Sequence, residues 1–451
     1  MTSVLWFRRD LRLGDNPALL AACASGPVLA LFVIDPALWG PAGPSRRAYL
    51  SASLRALDAS LRADGGRLCV VRGDPVRRVR RAAESVGAES VHVAADHGPY
   101  GARRDQEVEA ALAEKGVALV RTGSAYAVSP GRVRKADGSA YQVFTPFSHA
   151  WAEHGWRGPV EAPRGVTWLD LDEGTTEIPR PRLPAGLELP EAGEDAARRR
   201  WADFLDEGVA DYDERRDRPD LPGTSRLSHH LKWGEIHPRT LLADLARLRG
   251  PGARTYRVEL AWREFYADVL DRRPDTARDY LRPEFARMPY DEPGERFEAW
   301  REGRTGFPAV DAAMRQLRAT GWMHNRMRMV TASFLVKDLH VEWQHGARHF
   351  LHWLVDGDLA SNNHGWQWTA GCGTDAAPFF RVFNPTAQGR RFDPDGAYVR
   401  RWVPELADPD RVPDPHDPSL EVRQRVGYPV AILDHGTERR EALDRWETIR
   451  R

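Results

Sequence analysis

Residues 356–368, DGDLASNNHGWQW, gather more side chains suited to ligand binding than any other stretch of the chain. The carboxylates of Asp356 and Asp358 precede the adjacent amides of Asn362 and Asn363. Because carboxylates accept hydrogen bonds and amides both donate and accept them, these four side chains could surround a planar polar ligand. Two tryptophans at the end of the segment add aromatic surface beside that ligand. The alternative is a loop followed by the edge of a tryptophan-rich core helix.

A second group of candidate residues falls on one face of a predicted helix. Glu259, Trp262 and Arg263 are spaced i, i+3 and i+4, which brings their side chains together. An acid, a broad aromatic ring and a cation on one face could hold a flat polar ligand. From spacing alone, a surface ion pair beside a core tryptophan is the simpler interpretation.

Several long motifs, taken in order along the chain, resemble the cryptochrome/photolyase family, whose photolyases repair DNA with light. The motifs are WFRRDLRLGDNPAL, TSRLS, ELAWREFY, GWMHNRMRMVTASFLVKDL and DGDLASNNHGWQW, at residues 6–19, 224–228, 259–266, 321–339 and 356–368. The resemblance extends from about residue 3 to about residue 434, and motifs in the correct order are more specific than any single one. It implies a class I photolyase that acts on cyclobutane pyrimidine dimers.

The resemblance assigns roles to the residues that would meet the lesion. It implies that Glu259 hydrogen-bonds the dimer and stabilises its radical anion, that Trp262 stacks on it, and that Arg263 assists. Asn325 and Met329, spaced i and i+4, would face the same pocket. Asparagine at 325 stands where (6-4) photolyases typically have a histidine, which favours cyclobutane dimers. The DNA-contacting residues that the resemblance implies are Arg216, Glu259, Trp262, Arg263, Asn325, Arg326, Trp368 and Gln388.

The resemblance also implies a bound FAD, which is reduced and anionic in the active form. The residues expected to hold FAD are Tyr212, Thr224, Ser225, Arg226, Leu227, Ser228, Arg328, Asp356, Gly357, Asp358 and Asn362. Arg328 would pair with Asp356 beside the flavin. Asn362 would face flavin N5, where plant cryptochromes commonly have aspartate and animal cryptochromes cysteine, and this favours repair over signalling. Without the resemblance, the hydroxyl residues at 224–228 would be interpreted as ordinary helix N-caps.

Three aromatic residues carry electrons to the oxidised flavin in this family. Trp366 and Trp343 match the inner two, and Tyr290 stands at the third position, where the family has tryptophan. Because oxidised tyrosine is a strong acid that normally needs a proton acceptor, we predict a tyrosyl radical or a rerouted path. A purely structural role for Tyr290 is the alternative. His364 replaces a glycine of the usual motif, and it would either titrate near neutral pH or only pack locally.

The N-terminal part is expected to bind a light-harvesting antenna. DHGPYGARRD, residues 96–105, resembles the segment of members that bind 8-hydroxy-5-deazaflavin, and it lacks the Asn-Glu pair expected with methenyltetrahydrofolate. Arg46, Asp96 and Lys232 match deazaflavin-contacting positions. Each could instead be an ordinary surface charge.

The elements that position these residues follow from hydrophobic periodicity. Short apolar runs predict strands at 4–7, 28–34, 68–71, 91–94 and 118–120, and helices are predicted between them at 45–62, 75–86 and 103–115. This alternation predicts a doubly wound, Rossmann-like parallel sheet with its ligands at the carboxyl ends of the strands. Downstream helices are predicted at 194–207, 237–249, 256–272, 309–320, 323–336 and 347–355.

We therefore expect an α/β antenna domain at 1–125 and an all-α FAD-binding domain at 194–451. Residues 126–193, rich in glycine and proline, would form a connector along the surface, with one helix at 143–154.

Composition limits the remaining possibilities. Lys+Arg and Asp+Glu both number 65, so DNA binding would need a local basic patch. The chain has no apolar run of about eighteen residues and becomes charged at Arg8, so we expect neither a membrane helix nor a secretory signal. Cys23, Cys69 and Cys372 fit no metal spacing, and a reducing cytoplasm without a metal site is expected.

The sequence thus predicts a cytoplasmic, monomeric enzyme that repairs cyclobutane dimers in UV-damaged DNA by electron transfer from photoexcited reduced FAD. Two alternatives lie within the family, a cryptochrome-like blue-light photoreceptor and a (6-4) photolyase. Outside the family, Asp356 and Asp358 could be the metal-binding DxD motif of a glycosyltransferase.

Overall fold

A computed structural model of the chain describes residues 1–171, 174–375 and 380–450. Positions 172 and 173 of the predicted connector, and 376–379 and 451 of the predicted C-terminal domain, lie outside the described residues. The strands are β1 (Ser3–Phe7), β2 (Val28–Ile34), β3 (Cys69–Arg72), β4 (Ser90–Ala95), β5 (Ala118–Ser124) and β6 (Trp168–Leu169). They form one parallel sheet in the order β3-β2-β1-β4-β5, with β6 pairing β2.

The helices of the N-terminal part cover both faces of this sheet. They are α1 (Pro17–Cys23), α2 (Pro36–Trp39), α3 (Pro44–Ala63), α4 (Pro75–Ser85) and α5 (Pro99–Ala113). Each begins with proline, whose fixed φ and missing N–H suit the first turn of a helix. Two separate apolar clusters form on the two faces, because β1 and β2 are buried on both sides. The predicted doubly wound sheet is confirmed.

The described secondary structure after residue 193 is helical, which confirms the all-α C-terminal part. The first half of this region contains α7 (Glu194–Glu207), α8 (Tyr212–Arg215), α9 (Ser228–Trp233), α10 (Pro238–Ala246) and α11 (Pro251–Arg272), preceded in the connector by α6 (Phe144–His154). The second half contains α12 (Glu295–Glu302), α13 (Pro308–Thr320), α14 (Asn325–Lys337), α15 (Trp343–Trp353), α16 (Leu359–Ala370), α17 (Pro385–Phe392), α18 (Ala397–Trp402), α19 (Leu420–Val426) and α20 (His435–Arg450). Three 3-10 turns lie at Pro274–Ala277, Pro283–Arg287 and Pro404–Leu406.

Several elements differ from the sequence prediction, since α11 begins five residues before the predicted start and the helices α1, α2, α8, α9, α12 and α17–α20 were not predicted. Three further differences concern the connector, α15 and α16. The connector is not only a surface segment, because β6 pairs with Val28 and Leu29 at the start of β2, while β3 pairs with the end of that strand. Helix α15 begins at Trp343, four residues before the predicted start. Helix α16 was not predicted, although it contains most of the 356–368 motif.

Buried polar contacts fix the sheet against the helical part. The loop after β1 supplies most of them: Arg12 Nη1 donates to the Gly234 carbonyl at 2.9 Å, and Asp15 pairs with Arg239 at 2.6 Å. Tyr49 on α3 donates to Glu235 at 2.7 Å. Since all these side chains are buried, these contacts hold the loop after β1 and α3 in a defined position beside α9 and α10.

Candidate active site

A cavity of about 520 Å³ lies between α9, α11, α14 and α16. All eleven residues predicted to hold FAD line it, together with Glu259, Trp262, Asn325 and Met329. These residues are spread over more than 150 positions of sequence, from Tyr212 to Asn362. A pocket of this size with convergent polar groups is the usual form of a small-molecule or cofactor site.

Helix α16 brings the central motif to the cavity. Asp358 is its N-cap and accepts a hydrogen bond from the Ser361 amide at 3.1 Å. Asn362 and Trp366 follow at four-residue spacing and face the cavity on the same side of the helix. Arg9, from the loop after β1, lies 2.6 Å from Asp358. Burial alone would raise the pKa of Asp358, but Arg9 and Lys232 hold it far below its ordinary value.

Asp356 lines the cavity, and only one of its two carboxylate oxygens has a partner among the described residues. Its Oδ2 lies 2.7 Å from Arg328 Nη2, the pairing that the family resemblance implies. Its Oδ1 is buried and has no hydrogen-bond partner among the described residues. Because a buried, unpaired carboxylate oxygen is costly, this atom fits a site that receives an N–H or O–H donor from a ligand.

The hydroxyl groups of the 224–228 segment do not cap a helix. Leu227 is the N-cap of α9, and no side chain closes that end. The hydroxyl of Ser225 instead contacts Tyr256 Oη at 2.8 Å, and Arg226 adopts φ +50° with its guanidinium over Trp322. Thr224 and Ser228 therefore line the cavity with hydroxyl groups beside a cation, a donor set suited to phosphates.

The predicted lesion face carries an ion pair. Arg216 Nη1 lies 2.6 Å from Glu259 Oε1, and both side chains are partly exposed. Burial raises the pKa of Glu259 above its ordinary value, although Arg216 opposes the shift. This carboxyl group thus has an increased tendency to be protonated and to donate a hydrogen bond.

Trp262 and Arg263 are fixed by contacts with other parts of the protein. Phe144 of α6 stacks on Trp262 with ring centroids 3.6 Å apart, so one face of the indole is covered. Arg263 donates to the carbonyls of Ala125 at 2.9 Å and Leu231 at 3.2 Å. These contacts fix Arg263 to the protein backbone, and its predicted contact with DNA remains a prediction.

A second cavity of about 340 Å³ adjoins the first. Asp217, Arg326, Met329 and Trp368 line both, and the second also includes Gln388. Arg326 lies 2.8 Å from Asp217, so it is ion-paired like Arg216. Of the residues predicted to contact DNA, Arg326 and Trp368 line both cavities. Gln388 lines the second cavity alone, and the other five line the first cavity alone: Arg216, Glu259, Trp262, Arg263 and Asn325.

Two of the three predicted electron carriers are buried. Trp366 packs against Gly346 of α15, and Trp343, one turn earlier on that helix, is 1% exposed. Gly346 is required here, because a Cβ would come within 2.1 Å of the Trp366 ring. Tyr290 is half-buried and stacks on Tyr280, with ring centroids 6.3 Å apart. Only Trp366 lines the cavity.

Comparison with known proteins gives this arrangement its family. Residues 3–164 match the DNA photolyase model, and residues 256–448 match the FAD binding domain of DNA photolyase. The chain is 44% identical to the deoxyribodipyrimidine photo-lyase of Streptomyces griseus, over 99% of both proteins. This chain belongs to the photolyase/cryptochrome family.

Solved structures of this family have the same fold. A class III photolyase from Agrobacterium tumefaciens superposes with a TM-score of 0.92 at 35% identity, covering 100% of this chain and 98% of that one. A cryptochrome from Synechocystis sp. PCC6803 superposes with a TM-score of 0.89 at 27% identity, covering 98% of each. Since both a photolyase and a cryptochrome fit so closely, fold alone does not separate repair from signalling.

His364, where the family motif usually has glycine, lies outside the cavity. It is fully buried and stacks on Tyr266 with ring centroids 5.8 Å apart. Burial and Arg272 lower the pKa of His364 to about 4, so the ring is neutral at pH 7. These contacts support local packing over titration near neutral pH.

The three predicted antenna residues lie near one another at the carboxyl ends of the strands. Arg46 donates to the Leu351 carbonyl at 2.9 Å, and Asp96, just after β4, pairs with Arg104 at 3.3 Å. Burial, together with Arg9, lowers the pKa of Lys232 to about 7, against the attraction of Asp358. Lys232 also lines the cavity of about 520 Å³ that contains the predicted FAD residues.

Sequence reasoning missed several residues of the site. The motifs at residues 6–19, 259–266 and 321–339 contain Arg9, Tyr266 and Trp322, but the sequence assigns these three residues no role, and it assigns none to Asp217 or Tyr256. The signal for Arg9 was its place after a strand that ends at the switch point of the sheet. None of the helices in the described residues is long and apolar enough to span a membrane. Nor do these residues contain a cluster of three His, Cys, Asp or Glu side chains placed for a metal ion.

Proposed function

We propose that this protein repairs cyclobutane pyrimidine dimers in UV-damaged DNA in a light-dependent reaction. The observation that carries the proposal is the single cavity in which every predicted flavin residue meets the Glu259–Arg216 pair. Relatives named deoxyribodipyrimidine photo-lyase, 36–44% identical over most of their length, support the same reaction. FAD, when bound, supplies the light-driven electron that opens the dimer and is returned to it.

The chain's own residues bind and orient this cofactor. Asp356 Oδ1 is suited to accept a hydrogen bond from the flavin ring, while Arg328 neutralises the other oxygen. The hydroxyls of Thr224 and Ser228 and the guanidinium of Arg226 would contact the phosphates. Asn362, held by its own bond to the Ala347 carbonyl at 3.2 Å, would face N5. A neutral amide at this position is compatible with a reduced, anionic flavin.

The lesion would be held at the edge of the cavity. Glu259, whose pKa burial raises, would donate a hydrogen bond to a dimer carbonyl, and the uncovered face of Trp262 would stack on the bases. The exposed Asn325 and the thioether of Met329 would complete the pocket. Because the pocket is recessed, the dimer must leave the duplex, and damaged bases are the cheapest to unstack.

Affinity for DNA would come from cations around the two cavities. The net charge of zero supplies no global attraction, so the local arginines Arg216 and Arg326 have to provide it. Each is already paired with a carboxylate in the free protein. Phosphates would therefore compete with Glu259 and Asp217 for these guanidinium groups, and Gln388 and Trp368 would add neutral contacts beside them.

The antenna is proposed to be 8-hydroxy-5-deazaflavin, with methenyltetrahydrofolate as the alternative. Arg46 and Asp96 both lie close enough to Lys232 to affect it electrostatically, which suits one polar chromophore contacting all three. Incubating purified protein with each chromophore and measuring energy transfer to the flavin would separate the two. Lys232→Ala should weaken retention of the deazaflavin.

Within the family, we propose a class I enzyme. The proposal rests on the motifs at residues 6–19, 224–228, 259–266, 321–339 and 356–368, which imply this class by resemblance. Asn325 favours cyclobutane dimers over (6-4) products, and Asn362 with the intact Glu259–Trp262 pair favours repair over signalling. We also propose a cytoplasmic monomer, with its three cysteines unpaired as the structure has them.

The deciding experiment uses purified, reduced protein and an oligonucleotide that carries one cyclobutane thymine dimer. Loss of the dimer only under blue or near-UV light is expected. A (6-4) oligonucleotide serves as the matched substrate control. Repair of the control alone would establish a (6-4) photolyase, and repair of neither with flavin bound and reduced would favour a photoreceptor.

A further inference from the structure

Tyr280 and Glu342 form a contact that the family resemblance does not include. Tyr280 is 7% exposed, and its hydroxyl donates to Glu342 Oε1 at 2.9 Å. Glu342 is the N-cap residue of α15, yet its carboxylate makes no capping bond to that helix. The half-buried carboxylate of Glu342 therefore does not cap its own helix and accepts the hydrogen bond from Tyr280 instead.

This pair lies at the end of the predicted electron path. Tyr280 meets Trp343 edge-on, with ring centroids 6.2 Å apart and an interplanar angle of 85°. It also stacks on Tyr290 at 6.3 Å. Tyr280 therefore contacts both the second tryptophan of the path and the tyrosine at the third position.

The two tyrosines differ in what could take their protons. Tyr280 has the Glu342 carboxylate within hydrogen-bond distance, whereas Tyr290 meets the Tyr280 hydroxyl and is affected by Cys372 and Glu342 only through their charge, without a hydrogen bond. Burial raises the pKa of the Cys372 thiol, so the thiol remains protonated and is a poor base. Burial also raises the pKa of Tyr280, which keeps its phenol protonated before oxidation.

We propose that Tyr280, and not Tyr290 alone, is the terminal electron donor of the path, with Glu342 as the acceptor of its proton. The oxidant is the photoexcited oxidised flavin of the proposed function, acting through Trp366 and Trp343, and the inference rests on that function. Trp343, once oxidised, takes one electron from Tyr280, and the phenolic O–H proton passes to the Glu342 carboxylate. The products are neutral Trp343, a neutral tyrosyl radical and a carboxylic acid.

Trp300 is the competing neighbour of Trp366. Its ring lies 6.2 Å from Trp366 and is completely buried. Its indole N–H donates to the Thr331 carbonyl at 3.1 Å, and a carbonyl oxygen is too weak a base to take the proton. A charge on Trp300 would therefore have no proton acceptor in this contact, while the charge that reaches Tyr280 is trapped by proton loss.

The test is flash spectroscopy of the holoprotein with oxidised flavin, in which tryptophan and tyrosyl radicals are resolved in time. In the wild type, the tryptophan radical should decay into a tyrosyl radical, more slowly in D₂O than in H₂O. Glu342→Gln keeps an oxygen for the Tyr280 hydrogen bond but removes the base, so tyrosyl formation should slow on the order of 100-fold. The yield of the initial tryptophan radical should not change.

Matched tyrosine variants identify the donor. Tyr280→Phe should abolish the tyrosyl radical, whereas Tyr290→Phe should leave most of it. Tyr141→Phe, a half-buried tyrosine in a different apolar cluster, is the control for the substitution itself. An unchanged tyrosyl signal in Tyr280→Phe, or an unchanged rate in Glu342→Gln, would overturn the proposal. Thermal melting of each variant checks that it is folded.

Failure of this inference can be told from failure of the electron path. If no tryptophan radical forms in the wild type, the path through Trp366 is wrong, and the Tyr280 step is wrong with it. If tryptophan radicals form and return to the ground state without a tyrosyl radical, the path stands and the Tyr280–Glu342 step is refuted.

Discussion

Two regions of the site, the edge of the cavity with Arg216 and Arg326 and an aromatic wall, use different interactions. The aromatic wall consists of Trp366, which lines the cavity, and Trp343, which does not. At the edge, Arg216 and Arg326 lie in ion pairs with carboxylates and remain partly exposed. In the wall, the indole N–H groups of Trp366 and Trp343 are buried and have no hydrogen-bond partner among the described residues. In the proposed function the edge exchanges its carboxylate partners for phosphates and bases, whereas the two tryptophans of the wall are buried. The difference suggests that substrate recognition and electron supply can be changed independently.

The largest effect should come from the wall. Trp366→Phe should slow photoreduction by about a hundredfold or more, a barrier increase of about 3 kcal/mol, because phenylalanine is too hard to oxidise. Repair by protein that has been reduced chemically should be nearly unchanged. The measurement is flavin absorbance under continuous light with an external reductant, beside a repair assay on the reduced protein. A parallel loss in both assays would show that wall and edge are not separable.

A smaller effect is expected at the edge. Arg216→Ala should weaken binding to dimer-containing DNA about tenfold. The slope of log affinity against log salt concentration should also become less steep, by the amount that corresponds to about one lost phosphate contact. Flavin content should not change. Binding titrations over a salt series, with absorbance as the control for flavin, measure both. Equal affinity of variant and wild type at every salt concentration would exclude the phosphate contact.

The two regions also differ in how far the sequence predicts them. For the edge, spacing placed Glu259, Trp262 and Arg263 on one helix face, and α11 confirms that face. The partners of these side chains could not be predicted, because Arg216 and Phe144 contact α11 from elements distant in sequence. Pairing of this kind depends on tertiary packing, which periodicity does not report.

For the wall, the sequence indicated the residue types but not the helix that carries them. Helix α16 has paired asparagines and a glycine, which have low helix propensity, so its pattern resembles a loop. Its capping by Asp358 and its packing against α11, α14 and α15 override that preference. The role of Glu342 could not be predicted either, because its contact with Tyr280, 62 positions away in sequence, depends on tertiary packing.

Glu259 offers a test at the edge that depends on pH. If its protonated form donates to the dimer, the repair yield should fall as the pH rises through its raised pKa, because the neutral donor is lost above that value. Glu259→Gln should keep DNA binding, lower the repair yield per photon about threefold to tenfold, and lack this pH limb. Repair yields are measured at matched DNA saturation. A repair yield equal to that of the wild type in Glu259→Gln, or an unchanged pH profile, would exclude Glu259 as the hydrogen-bond donor to the dimer.

The smallest effect should come from His364, which touches neither the cavity nor the electron path. Because burial keeps this histidine neutral, with a pKa lowered to about 4, the flavin spectrum should not change between pH 6 and pH 8. His364→Ala removes a buried ring that stacks on Tyr266, so it should lower the free energy of unfolding by about 1–3 kcal/mol. Flavin absorbance, photoreduction rate and repair yield should remain close to those of the wild type. A spectral shift in the variant would mean that Tyr266, which lines the cavity, transmits the change to the flavin, and His364 would then belong to the aromatic wall rather than to the surrounding core.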